Sequence, residues 1–161
     1  MIHGGVWGEN RMRKVITSLL AVALICIAST GRANADECDA VAGELAGRVA
    51  GVTIGRRTSV SIFFFHPAIK YASIGCLNNG KNRNFFVEVE AKYPSSSFFD
   101  FISMAGPIVL GGAADAFREG AVRCQKSALD KGGEDIDLRY SGLSFQCSAD
   151  KLSSSMPIQK Q

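Results

Sequence analysis

The stretch FFVEVEAK, residues 85–92, alternates apolar and polar side chains and is the clearest strand pattern in the chain. Successive side chains of a strand point to opposite faces of the sheet, so this spacing predicts one buried and one solvated face. The predicted buried set is Phe85, Val87, Val89 and Ala91, and the solvated set is Phe86, Glu88, Glu90 and Lys92.

Two further strands are predicted before this one. Residues 58–65 and 70–77 both alternate, and His66-Pro67 separates them because proline lacks the backbone donor that a ladder needs. A polar turn over residues 78–84, with an Asn-Gly pair, leads into the 85–92 strand. These segments predict an antiparallel meander, and residues 51–57 before it are predicted to break or bend the chain.

Helical spacing of apolar residues marks three segments. Predicted helices cover residues 36–50, 98–105 and 113–131, with Gly106-Pro107 expected to interrupt the chain after the second. One last strand, residues 136–147 with a kink near Gly142, follows the third helix. The fold class predicted is a small single-domain α+β protein. About four antiparallel strands carry the helices on one face, and two disulfides brace the fold.

The amino terminus has the features of a secretory signal peptide. Arg11, Arg13 and Lys14 precede an uncharged apolar run over residues 15–28, and the small-residue site Ala33-Asn-Ala35 follows. The run is shorter than the roughly 20 residues that span a bilayer. We therefore predict a signal peptide over residues 1–35, cleaved after Ala35, a domain over 36–150 and a disordered tail over 151–161. Export to the periplasm is the favoured location, with full secretion as the alternative.

Charge argues against nucleic-acid binding. Residues 1–35 hold four of the 18 basic and one of the 15 acidic side chains, so the remaining chain has 14 of each. A protein that neutralises phosphates needs a basic excess, which the exported part lacks. No nucleic-acid partner and no transmembrane span in the mature chain are expected.

Four cysteines remain after cleavage: Cys38, Cys76, Cys124 and Cys147. An even number in an exported chain predicts two disulfides. The helix and strand positions favour the pairs Cys38–Cys76 and Cys124–Cys147, although sequence alone allows three pairings. A thiol redox or metal protein using these cysteines stays an alternative, but no Cys-x-x-Cys spacing supports it, and neither a metal nor a cofactor is expected.

Candidate chemistry is sparse. His66 is the one histidine after residue 35 and is a weak candidate for the general base of a small hydrolase, because no nucleophile motif accompanies it. The leading prediction is a non-catalytic binding or structural module of the cell envelope. Its partner, an envelope protein or a small ligand, would bind exposed residues near Phe63–His66 or Phe98–Phe101. The candidate binding residues are Phe63, Phe65, His66, Phe98 and Phe99.

Overall fold

The computed structural model describes residues 37–77 and 82–161. The predicted signal peptide, residues 1–35, lies outside the described residues. Three helices are described: α1 (Glu37–Arg48), α2 (Ser96–Leu110) and α3 (Ala114–Asp130). Seven strands accompany them: β1 (Thr53–Arg57), β2 (Ser61–His66), β3 (Ile69–Leu77), β4 (Asn82–Val89), β5 (Ile136–Tyr140), β6 (Leu143–Ala149) and β7 (Ser154–Lys160).

The strands form one antiparallel sheet in the order β1-β2-β3-β4-β7-β6-β5. The α+β class is therefore confirmed, whereas the prediction of about four strands is wrong. Three segments account for the difference: the predicted bend before the meander, the predicted kinked strand and the predicted tail.

The segment predicted to bend, residues 51–57, contains the edge strand β1. It pairs with β2 through a register shift between Ile54 and Arg57. Only one of its five residues is even partly buried, so its side chains lack the apolar alternation by which a strand is recognised.

The kink predicted near Gly142 is a hairpin turn. Ser141 and Gly142 both have positive φ, 50° and 77°, as a two-residue turn of type I′ requires. Tyr140 pairs with Leu143 across the turn, so β5 and β6 run antiparallel instead of forming one bent strand.

The segment predicted as a disordered tail supplies β7, which lies between β4 and β6 near the middle of the sheet. Ser154, Met156 and Ile158 are buried and alternate with more accessible residues. Pro157 pairs with Phe86 of β4. A proline within a strand and a polar stretch at the end of the chain both argue against a central strand. The sequence pattern therefore predicted a disordered tail here instead of β7.

Gly106-Pro107 does not interrupt α2, which continues to Leu110. Gly106 is buried against Phe117 of α3, and a β-carbon there would lie 2.3 Å from that ring. The close packing of α2 on α3 thus compensates for the helical hydrogen bond that is lost because Pro107 has no backbone N–H.

All three helices pack on one face of the sheet, as predicted. The core on that face is built from the largest fully buried side chains, which are Phe64, Phe85, Phe98, Phe101, Phe117, Phe145, Leu45, Ile74, Ile102, Met156, Ile158 and Val87. None of the helices in residues 37–77 and 82–161 combines the length and the hydropathy that a bilayer-spanning helix needs.

Two disulfides join helices to this sheet with the predicted pairing. Cys38 of α1 is bonded to Cys76 of β3, with Cα atoms 6.0 Å apart. Cys124 of α3 is bonded to Cys147 of β6, with Cα atoms 5.8 Å apart. Both Cα separations lie within the ordinary range for disulfides.

Candidate functional site

The face of the sheet opposite the helices, here called the open face, carries side chains that are half-buried or exposed and none that is buried. Within the described ranges, no helix covers it. Its residues on the central strands include Phe63, Tyr71, Ser73, Phe86, Glu88, Ser155 and Pro157. Large exposed apolar areas mark interaction sites, so an uncovered face with several aromatic rings is a candidate binding site.

Three of these rings meet around a small residue. Ser73 of β3 pairs with Phe63 on one side and Phe86 on the other. The ring of Tyr71 lies 6.0 Å from that of Phe63 and 5.6 Å from that of Phe86, measured between centroids. Because Ser73 does not fill the space between its neighbours, the rings lie together as one apolar area.

Phe65 and Arg56 extend this area toward the β1 edge. Phe65 is 50% exposed, and its ring packs against Gly55, where a β-carbon would lie 2.5 Å from the ring. The guanidinium of Arg56 lies 5.4 Å from the centroid of Phe63, within the range of a cation–π contact. Glycine at position 55 thus leaves room for the phenylalanine ring beside the strand.

We call Arg56, Phe63, Phe65, Tyr71 and Phe86 the aromatic surface. All of these residues except Phe86 line a shallow depression of about 230 Å³. None of the ion pairs within the described part of the chain involves Arg56. The depression therefore combines apolar walls with a cation that has no carboxylate partner there.

Charged groups border the aromatic surface on the β4 side. Lys70 bridges Glu88 at 3.1 Å and Glu90 at 3.3 Å, and hydrogen bonds to both carboxylates raise the pKa of Lys70. Burial, followed by the hydrogen bond and charge of Glu88, raises the pKa of Tyr71. The Tyr71 hydroxyl is protonated at neutral pH with or without this shift, and it is a hydrogen-bond donor to Glu88.

The predicted binding residues separate into different environments. Phe63 and Phe65 lie on the aromatic surface. Phe98 is fully buried in the core, and Phe99 is half-buried with its ring edge-on to Phe98 at 5.3 Å. Phe98 offers no exposed surface for the predicted contact, because α2 turns this side chain toward the core.

His66 lies on the helix side and contacts backbone through both ring nitrogens. Its Nε2 donates to the carbonyl of Ala50 at 3.2 Å, and its Nδ1 accepts from the amide of Ala68 at 3.1 Å. The imidazole also stacks on Phe101 at 4.9 Å. A general base needs an unengaged nitrogen, so these contacts favour a role in fixing the end of β2.

Among residues 37–77 and 82–161, the cysteines and acidic residues form no metal site. All four cysteines of the described ranges are in disulfides, so none is a thiolate that could bind zinc or attack a substrate. In that part of the chain, no three His, Cys, Asp or Glu side chains lie close enough to hold an ion.

Sequence reasoning missed Arg56, Tyr71 and Phe86 as members of the site. Phe86 was correctly predicted for the solvated face of its strand, and this was the signal that could have found it. Comparisons with protein-family models, curated proteins and solved structures returned no match.

Proposed function

We propose that this chain is an exported, non-catalytic binding module of the cell envelope that holds its ligand on the aromatic surface. The observation that carries the proposal is the uncovered group of rings beside Arg56 on the open face. Large apolar side chains are normally buried. Leaving several rings accessible to water therefore costs hydration free energy, which ligand binding would offset.

The lining specifies the ligand's chemistry. Apolar walls formed by Phe63, Phe65 and Tyr71 favour a flat apolar or aromatic group, which stacks on ring faces. Arg56 favours an anionic group at the β1 end of the depression, because guanidinium forms strong charge-assisted hydrogen bonds with carboxylate, sulfonate and phosphate. The proposed ligand, free or carried by an envelope protein, is an amphipathic anion with a planar apolar body.

Export is supported by the disulfides. Disulfides form and persist in oxidising compartments such as the periplasm or the extracellular medium, and they are rare in the cytosol. Two disulfides that join α1 and α3 to the sheet suit a small domain that must stay folded outside the cell.

The test uses anilinonaphthalene sulfonate, a planar apolar anion whose fluorescence increases on transfer out of water. We expect saturable binding to the native protein. Phe63→Ser and Arg56→Gln should each weaken it about tenfold, since each removes one of the two interactions that the ligand needs. The control variants Leu152→Ser and Lys151→Gln remove an exposed apolar side chain and a cation from the β6–β7 loop.

The controls should bind the probe as the wild type does. All variants should keep the thermal unfolding transition of the wild type, because each altered side chain is at least partly exposed. Absence of saturable binding, or equal affinities in all five proteins, would refute the proposed function.

A further inference from the structure

The two edges of the sheet differ in how well they resist pairing with another strand. An edge strand has unpaired backbone groups, and proteins commonly protect it with bulges or charged side chains. β1 has a register shift between Ile54 and Arg57, and its two charged residues, Arg56 and Arg57, carry the same sign. β5 pairs with β6 in unbroken register over all five residues, from Ile136 to Tyr140.

The sequence of β5, IDLRY, is complementary to itself. Asp137 and Arg139 are exposed on the open face, one on each side of Leu138. Neither forms an ion pair within residues 37–77 and 82–161. In an antiparallel pair centred on Leu138, Asp137 would lie directly opposite the partner's Arg139, and Arg139 opposite the partner's Asp137.

The other face of β5 fits the same register. Ile136, Leu138 and Tyr140 are half-buried and pack against the rim of the core. A second β5 would place Leu138 opposite the partner's Leu138, and Ile136 opposite the partner's Tyr140. Directly opposed side chains in antiparallel strands lie about 5 Å apart at Cβ, close enough for these apolar and charged pairs to interact.

Tyr140 is held in place for such a contact. Its hydroxyl hydrogen-bonds to the carboxylate of Glu119, and the guanidinium of Arg123 lies 4.7 Å from its ring centroid. Both residues belong to α3, so the last side chain of the edge is fixed by the helix that packs on β5. A fixed side chain loses less conformational entropy when a partner binds.

From this charge complementarity and the unbroken register of the edge strand, we propose that two copies of the chain associate through β5, antiparallel about Leu138, into a two-fold dimer with one continuous sheet. The contact is isologous, because each copy presents the same five residues to the other. It is independent of the aromatic surface.

Sedimentation analysis of the purified protein over a wide concentration range tests the proposal. We expect a monomer–dimer equilibrium for the wild type. Asp137→Arg places the introduced arginine opposite the partner's Arg139 at both ends of the contact, and should weaken dimerisation about tenfold or more. Arg139→Asp should do the same.

The double variant Asp137→Arg/Arg139→Asp restores opposite charges in the same register and should restore the dimer. Arg56→Asp, a reversal near the opposite edge, is the control and should leave dimerisation unchanged. Amide exchange in the wild type gives a second measure: amides of residues 136–140 should become more protected as protein concentration rises, whether or not any variant folds.

A wild type that stays monomeric at about millimolar concentration, above the dissociation constants of ordinary specific complexes, would overturn the proposal. So would a dimer that both single reversals leave intact, a double variant that stays monomeric while folded, or concentration-dependent protection on another strand.

Discussion

Gly120 of α3 lies directly beneath the ring of Phe145 on β6. A β-carbon at position 120 would come within 2.4 Å of two ring atoms of Phe145, which is fully buried. This contact sets how closely the helix approaches the sheet beside the Cys124–Cys147 disulfide. We predict that Gly120→Ala destabilises the protein by about 1–3 kcal/mol, the usual effect of overpacking a core.

Gly43→Ala is the matched control in this comparison. Gly43 is also within a helix, α1, but a β-carbon there meets no atom within 4 Å. Replacing an exposed helical glycine by alanine should stabilise by about 0.5–1 kcal/mol. Denaturant unfolding measures both variants, and shifts of the same sign would contradict the close helix–sheet packing.

The cysteines should be fully oxidised in protein recovered from an exporting host. Intact-mass measurement under denaturing conditions, with an alkylating reagent and no reductant, should give residues 36–161 less four hydrogens and no added alkyl group. This result would support cleavage after Ala35 as well as both disulfides. Alkylated cysteines would contradict the disulfides and revive thiol or metal chemistry.

Removal of β7 should prevent folding. A chain ending at Ser153 would leave β4 and β6 without the strand that joins them, and two edges would be exposed in the middle of the sheet. The milder variant Met156→Ala should cost about 2–5 kcal/mol, because Met156 is fully buried. Far-ultraviolet circular dichroism and thermal unfolding test both, and a truncated protein with the wild-type transition would contradict this topology.

Asp150 makes the stability of the β6–β7 loop depend on pH. Its Oδ1 accepts hydrogen bonds from the amides of Leu152 and Ser153, both at 2.6 Å, and these bonds lower the pKa of Asp150. A lowered pKa in the folded state contributes stability above the unfolded-state pKa, and this contribution is lost as the pH falls through the folded-state value.

Asp150→Asn should therefore lower the melting temperature at neutral pH. The difference from the wild type should begin to shrink below about pH 4, where Asp150 of the unfolded chain takes up a proton, and should vanish once the pH passes the lower folded-state pKa. Thermal unfolding of both proteins from pH 7 to pH 2 measures this, and a constant or growing difference toward low pH would contradict the assigned role.

The sequence predicted those elements whose apolar residues follow a clear period. The strand over 85–92 and the three helices were found because a buried stripe with period 2 or 3.6 is a direct record of packing. The disulfide pairing followed from the same periodicity, which placed Cys124 and Cys147 on facing sides of a helix and a strand.

Elements whose sequence shows no regular apolar period were missed. β1 lies at an edge and buries almost nothing, so its residues TIGRR show no alternation. β7, SSMPIQK, mixes polar and apolar residues around a proline without a clear apolar period, and only pairing with two distant strands makes it regular. The aromatic surface was found in part, because Phe63 and Phe65 follow a strand pattern, but the approach of Arg56 and Tyr71 depends on sheet register.

The location of a bound ligand tests the central claim most directly. Anilinonaphthalene sulfonate should be titrated into isotope-labelled protein while backbone amide resonances are followed. The account predicts shift changes confined to the open-face sections of β1–β4, around Arg56, Phe63, Tyr71 and Phe86. Changes clustered instead at the groove between α1 and α2, beside Met104, would contradict it.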